Sequence, residues 1–319
     1  MRSSAPQRSS SRADEPERER IGPCIKVQCP AKVDLFLDAT GRRKDGRHNI
    51  AALFAKINLF DCLELEAIAP ARVELSIDDR IGAGLDPGPE NLVVRAAEAY
   101  RRAFGVPHGV RIRLEKKIPA RAGRGGGPSD AAGTLLGMAR LTGRKLDRGG
   151  MAALRKLAGG LGPYVPFFLR EGSYAVGEGA GDKVSALDVS RALPPMVLVY
   201  PRVPVSAASV CRELGPAGKN AVLTALSQLG KLQKKLAAGR PISEWAGLLF
   251  NRLEDPVSRS YGQVRQAKGI LERLGAQGAL MSGTGSSVFG FFPGDGEAEK
   301  AAGRLRGYPW DVFVTCCLG

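Results

Sequence analysis

Residues 116–132 read KKIPARAGRGGGPSDAA. The glycines at 123, 125, 126 and 127 stand between an alternating stretch, VRIRLEKKIP, and PSDAAGTLLGMARLTG, whose apolar residues recur at helical spacing. The expected local structure is strand, glycine loop, then a helix from Pro128 to about Leu141. Glycines carry no Cβ, so their backbone N–H groups can come close to an anion. The head of a helix adds unpaired donors and the positive end of its dipole. Pro128 suits a first helical turn, where its missing N–H costs nothing, and Ser129 offers a hydroxyl beside the same anion. No Lys-Ser or Lys-Thr follows the glycines and the Rossmann spacing is absent, so neither standard nucleotide motif applies. The competing reading is a flexible glycine linker. A linker is not normally fixed between a strand and a strong helix, which favours phosphate binding.

Two further stretches carry chemistry. CPAKVDLFLDATGRRKDGRHNI (29–50) places Lys32 and Asp34 two apart on a strand and therefore on one face. Such a pair is usually a surface ion pair; beside a phosphate site it would align a hydroxyl and neutralise charge. MSGTGSSVFGFF (281–292) sets Gly283, Thr284 and Gly285 before an apolar strand, which reads equally well as a plain turn or as part of a site.

Outward from these motifs the elements alternate irregularly. IKVQCPAKVDLFLDATG, AALFAKINLFDCLELEAI and ARVELSI read as strands, and ENLVVRAAEAYRRAFG as a helix ending at Gly105. DRGGMAALRKLAGGLG reads as a helix, and VPFFL and SYAVG as strands. Beyond RALPPMVLVYPRVPV come three expected helices (AVLTALSQLGKLQKKLA, SEWAGLLFNRLED, SYGQVRQAKGILERLG). Strands at ALMSG and SSVFGFF, a helix at EAEKAAGRLR and a last strand at DVFVTCCL follow. The irregular order favours an α+β fold over a doubly wound sheet. Residues 1–20 form an expected disordered tail, 21–192 a first domain and 193–319 a second.

Composition narrows the function class. The 319 residues are 44% hydrophobic and 25% charged, enough to bury a core, and no apolar run is long enough to cross a membrane. The net charge of +15 invites a nucleic-acid reading, but the Lys and Arg are dispersed and only two Trp and six Tyr are present. No nucleic-acid partner is expected. Six cysteines without framework spacing suggest a reduced, cytoplasmic chain, and two histidines rule against a His-rich metal site. No residue is assigned as a metal ligand.

PAKVDLFL, GRRKDGRH, ENLVVRAA, KKIPARAGRGGGPSDAA, LGPYVPFFLREG, PRVPVSAA, FNRLEDPV and MSGTGSSVFG occur in this order over residues 25–292. As an ordered set they resemble the GHMP kinase superfamily, and within it the diphosphocytidyl-methylerythritol kinases. The resemblance implies a two-domain α+β architecture, with an N-terminal domain like ribosomal protein S5 domain 2 and a ferredoxin-like C-terminal domain. It implies ATP- and Mg²⁺-dependent phosphorylation of the 2-hydroxyl of a CDP-linked methylerythritol, by a monomer or homodimer. On this chain the family's catalytic Lys falls on Lys32. The ATP loop falls on Pro119, Ala120, Arg121, Ala122, Gly123, Arg124, Gly125, Gly126, Gly127, Pro128 and Ser129. The cytosine-reading His falls on His48, with Gly283, Thr284 and Gly285 on the substrate side.

The chain also departs from that pattern. Tyr164 stands where the family has its catalytic Asp, and Asp34 where it has Asn. Pro128 replaces a Ser, and Arg121 and Arg124 enter the loop's run of glycines and a leucine. Arg47 takes the place of the aromatic before His48, and Val210 or Cys211 that of the second ring stacking on cytosine. Arg47 can still stack through its planar guanidinium. Arg124 would add charge at the phosphates, or crowd them. A phenol is a poor base at neutral pH, so Asp34 is expected to supply the acidic group, or merely to pair with Lys32. Three functions remain open: the same reaction, a GHMP-type kinase with another acceptor alcohol, and a non-catalytic nucleotide-binding paralogue.

Overall fold

The structure is a computed structural model and describes residues 20–42, 48–82, 84–206, 210 and 218–319. The expected tail lies outside these residues except for Arg20, where the first strand begins.

Two long strands, β1 (Arg20–Arg42) and β2 (His48–Ile68), pair antiparallel and form the spine of a mixed sheet. β3 (Val73–Asp79) and β4 (Gly109–Lys116) extend it beyond β2, while β5 (Tyr174–Glu178) pairs with the other end of β2 and with β6 (Lys183–Ala186). Helices α1 (Leu92–Phe104), α2 (Gly126–Leu141) and α3 (Arg148–Leu161) cover one face of this sheet. α1 starts where the Asn91 side chain accepts the Val93 N–H (3.0 Å) and stops at Gly105 in the left-handed region. Its Val93, Ala96, Ala97 and Tyr100 are buried, as the helical spacing requires.

The second sheet is antiparallel, in the order β11 (Asp311–Thr315), β7 (Met196–Tyr200), β10 (Val288–Phe291), β9 (Gly278–Met281). Numbered within the sheet, that order is 4-1-3-2. The long helix α5 (Lys219–Ala237) and later helices connect its first and second strands, and one helix (Asp295–Leu305) its third and fourth. This is the expected ferredoxin-like connectivity. A second core lies between the sheets, where Val33, Leu35 and Leu53 meet Leu198, Phe289 and Phe291.

Two expected elements differ. VPFFL is not a strand: Val165–Phe168 is a single helical turn, α4, with Pro166 in its opening positions. A short apolar run does not by itself distinguish the two, and Pro favours the first helical turn. SEWAGLLFNRLED is not one helix. Ile242–Trp245 (α6) passes through a 3₁₀ turn into β8 (Phe250–Asn251), which pairs parallel to β1 at Phe36 and Leu37. The C-terminal half thus lends an edge strand to the first sheet.

The register of β1 decides where the chemistry sits. Val27 and Cys29 face α2, whereas Ala31, Val33 and Leu35 face the second sheet. The switch occurs at an irregularity between Pro30 and Ala31. Asn58 and Leu59 of β2 have no partner on β1 there, the alternation changes face across this irregularity, and Lys32 and Asp34 are turned toward the glycine loop.

Candidate active site

The loop reaches α2 through backbone that only glycine adopts readily. Gly123 and Gly125 have φ of 76° and 69°. A Cβ on Gly123 would overlap the Ser282 carbonyl oxygen, so the loop touches the 281–287 turn directly. α2 begins at Gly126, two residues before Pro128, and the Ser129 N–H closes its first turn on the Gly125 carbonyl (2.9 Å). The amides of Gly126 and Gly127 therefore have no carbonyl of their own helix to reach. They stand at a cavity of about 320 Å³ walled by residues 119–128 with Leu85 and Lys116. The hydroxyl of Ser129, the next residue in the chain, is buried without a hydrogen-bond partner. A larger groove of about 660 Å³ between α1 and α3 shares no residue with the loop, is mostly apolar and holds none of this chemistry.

Lys32 and Asp34 form a buried ion pair, Nζ to Oδ2 at 2.6 Å, with 4% and 1% of their surfaces exposed. The Lys32 N–H donates to the Arg124 carbonyl (3.0 Å), tying this strand to the loop. The Tyr164 ring lies 5.5 Å from the Lys32 ammonium and the Phe54 ring 6.0 Å, so the cation is held between a carboxylate and two aromatic faces. Burial pushes the Asp34 carboxyl above its ordinary value, against the opposing pull of Lys32 and a bond from the Gly283 backbone. Its Oδ1 has no partner.

The 281–287 turn closes the other side. Ser282 Oγ accepts the Asp34 N–H (3.2 Å) and donates to the Gly123 carbonyl (3.2 Å). Asn251 Nδ2 donates to the carbonyls of Met281 (2.7 Å) and Gly283 (2.8 Å), fixing the turn from below. Gly283 packs directly on Asp34, Thr284 is half-buried, and Gly285 faces Met281 and Val257, away from the ion pair.

Arg124 lines the loop cavity, but its guanidinium turns away from it. The guanidinium turns into the junction of the two sheets, where Nε donates to Ser287 Oγ (2.8 Å) between the rings of Tyr200 and Phe313. Nη1 and Nη2 are buried without partners, and burial lowers the group to about 9. The expected placement of its charge at the glycine loop is therefore not what the structure has: the guanidinium is engaged between the sheets.

A buried triad under the loop has no counterpart in the sequence-based expectations. Lys116 Nζ donates to Asp61 and to Asp130 (2.8 Å). The second oxygen of Asp61 accepts the N–H groups of Lys117 (2.6 Å) and Ile118 (2.8 Å). Burial and the Asp61 charge raise the Asp130 carboxyl despite Lys116, and the two carboxylates push the Lys116 ammonium above its ordinary range despite burial. The signal was present: Asp61 alternates in phase with the buried Leu63 and Leu65, and Lys116 continues the inward phase of Ile112 and Leu114.

His48 opens β2 and pairs with Arg42; Phe54, six positions further on, pairs with Asp34. At strand rise this is roughly 20 Å, so His48 and the ion pair stand at opposite ends of one hairpin segment. Arg47 and Cys211 lie outside the described residues, and Val210 is buried in the core.

Residues 91–171 match the model of the GHMP kinases N terminal domain, and residues 223–309 that of the GHMP kinases C terminal. The chain is 37% identical to a 4-diphosphocytidyl-2-C-methyl-D-erythritol kinase of Pelotomaculum thermopropionicum over 293 residues, 91% of this chain and 97% of that one. A solved 4-(cytidine 5'-diphospho)-2C-methyl-D-erythritol kinase superposes with a TM-score of 0.73 at 34% identity, covering 92% of this chain and 100% of that one. A homoserine kinase from Cytophaga hutchinsonii has the same TM-score at 19% identity, covering 92% and 95%, which shows the fold alone. The chain belongs to the GHMP kinases, in the branch of the 4-diphosphocytidyl-2-C-methyl-D-erythritol kinases.

Proposed function

We propose that the protein transfers the γ-phosphoryl group of ATP to the 2-hydroxyl of 4-diphosphocytidyl-2-C-methyl-D-erythritol. The observation that carries this reading is the junction of the glycine loop and the Lys32–Asp34 pair through the Lys32–Arg124 backbone bond. Phosphoryl transfer depends mainly on positioning and on neutralising charge over the transferred group. The loop and the α2 amides supply the phosphate seat. Lys32 lies where its ammonium would offset charge that develops between donor and acceptor. The hairpin would hold the cytosine end at His48, and the strand between His48 and Phe54 gives an elongated substrate the span it needs.

ATP in such kinases arrives with Mg²⁺, which keeps most of its ligands from phosphate and water and takes one or two from the protein. The residues present fit that need. Ser129 Oγ and Asp130 Oδ1 are hard oxygen donors, buried at the head of α2 and without partners. When bound, the metal neutralises phosphate charge. A small-molecule site does not require a second subunit, so a monomer or homodimer in the cytoplasm suffices. No helix among the described residues is long and apolar enough to cross a membrane.

The test is phosphorylation of the cytidine substrate by the purified protein with ATP and Mg²⁺. A phosphomonoester product is expected, and Lys32→Met should lower kcat far more than ATP affinity. Tyr164 beside Lys32 favours one alternative, a non-catalytic nucleotide-binding protein. ATP binding with no product from any alcohol would establish it.

A further inference from the structure

Transfer of a phosphoryl group to an alcohol releases the alcohol's proton, and the group that receives it must touch the acceptor oxygen. Tyr164 and Phe54 present ring faces to the Lys32 ammonium, and Asp34 presents a carboxylate. That carboxylate is held from three directions. Lys32 Nζ binds Oδ2 at 2.6 Å, Ser282 Oγ accepts the Asp34 backbone N–H, and Gly283 packs directly against Oδ2. Oδ1 is buried and has no hydrogen-bond partner among the described residues. A buried carboxylate oxygen nearly always has a donor. The donor this one lacks fits a substrate hydroxyl, because the same strand is bonded to the phosphate loop through the Lys32 amide.

We propose that Asp34 is the proton acceptor of the transfer, with Oδ1 hydrogen-bonded to the acceptor hydroxyl. The inference rests on the kinase reading above. In the step, the acceptor oxygen forms a bond to the γ-phosphorus while its O–H proton passes to Asp34 Oδ1. The bond from the γ-phosphorus to its bridging oxygen breaks, and the electron pair leaves on ADP. Asp34 then returns the proton to solvent as the product departs. Lys32 orients Oδ2 and favours the charged form of the carboxylate, so one ammonium serves both the phosphate and the base. The charged group facing Asp34 among the described residues is Lys32, and burial works against it by raising the carboxyl. A base with a raised pKa accepts a proton more readily than an ordinary aspartate.

The test compares wild type, Asp34→Asn, Asp34→Glu and the double variant Asp34→Asn with Tyr164→Asp. A general base contributes about 10²–10⁴-fold, so Asp34→Asn should lose that factor in kcat. Calorimetric ATP affinity should stay within about threefold, because no contact to the phosphate seat is removed. Asp34→Glu keeps a carboxylate and should lose less than Asp34→Asn. The double variant puts a carboxylate on the other side of the Lys32 ammonium and should recover at least tenfold over Asp34→Asn. Should Asp34→Asn not fold, the wild-type profile decides: kcat must fall about tenfold per pH unit below the carboxyl's pKa. Unchanged kcat in Asp34→Asn, or a wild-type kcat with no acid limb down to the pH at which the protein unfolds, overturns the assignment. If wild type phosphorylates no cytidine substrate, the kinase reading itself fails, which is a different result from an active enzyme indifferent to Asp34.

Discussion

Replacing Lys116 with Met should strike stability and nucleotide binding together, because one ammonium holds two buried carboxylates under the phosphate loop. Lys116, Asp61 and Asp130 are 1%, 0% and 2% exposed, so solvent cannot take over the lost interaction. Removing one partner from a buried charge cluster typically costs about 3–5 kcal/mol, since an uncompensated charge stays behind. A chain of this size loses roughly 2–4 °C of Tm per kcal/mol, so the expected fall is roughly 6–20 °C. Asp61 also accepts the N–H groups of Lys117 and Ile118, the last residues before the loop. Its displacement should weaken ATP binding as well. The pH dependence has a definite sign. Asp130 is raised in the folded state, so its contribution is fully present below the ordinary carboxyl value and is lost as pH rises through its raised value. Lys116 is raised too, and its contribution is lost only in strong base, as pH passes its raised value. In Lys116→Met the carboxylates face each other without a cation. The deficit against wild type should therefore shrink as acid protonates them. Calorimetric melting of both proteins at pH 5 and pH 8, with ATP titrations at neutral pH, checks each part. A Tm within 2 °C of wild type at pH 8, with unaltered ATP affinity, would refute the reasoning.

Two glycines separate fold from phosphate binding. Gly127→Ala meets only Leu92 at 3.5 Å and replaces a helical glycine, so the fold should hold or gain up to about 1 kcal/mol while ATP affinity drops. Gly123→Ala should lose both, because its Cβ overlaps the Ser282 carbonyl and its φ of 76° disfavours any side chain; urea unfolding and ATP titration read the pair. Arg124→Met should raise Tm, equivalent to roughly 1–2 kcal/mol, because it removes two buried, unpaired ends of a guanidinium and keeps an apolar stem between Tyr200 and Phe313. Equal or lower Tm would mean that the ring contacts and the Ser287 bond outweigh the desolvation cost.

The parts legible in the sequence are those where local chemistry and tertiary demand agree. The glycine run before an amphipathic stretch announced both loop and helix, because phosphate geometry and helix-start geometry ask for the same residues. Lys32 and Asp34 were correctly read as sharing a face, but the alternation alone would have put that face on the wrong side. The irregularity between Pro30 and Ala31, which aims the pair at the loop, depends on pairing with β2 and leaves only a proline as its trace. Arg124 misled for the opposite reason. A cation in a phosphate loop suggests phosphate, and nothing local reveals that Tyr200 and Phe313 flank it from the other sheet. The Lys116 triad was visible as charges in phase with buried apolar residues, yet its meaning required knowing that Asp130 comes back over both strands.

The catalytic geometry cannot be assigned to either half of the chain. Asp34 and Gly123 lie in the N-terminal half, but both are held by Ser282, and the turn carrying Ser282 is held by Asn251. Asn251 in turn belongs to β8, which is paired to β1 only a few residues beyond Asp34. The connections form a closed circuit: strand, loop, turn, edge strand, and back to the strand. A circuit of this kind fixes the carboxylate and the phosphate seat relative to each other without any ligand, which is what transfer by positioning demands. It also explains why Asp34 can remain buried with one oxygen unsatisfied. Each element is bonded to the next, so none can turn a donor onto the buried Oδ1, which is where the proposed acceptor hydroxyl would make its bond.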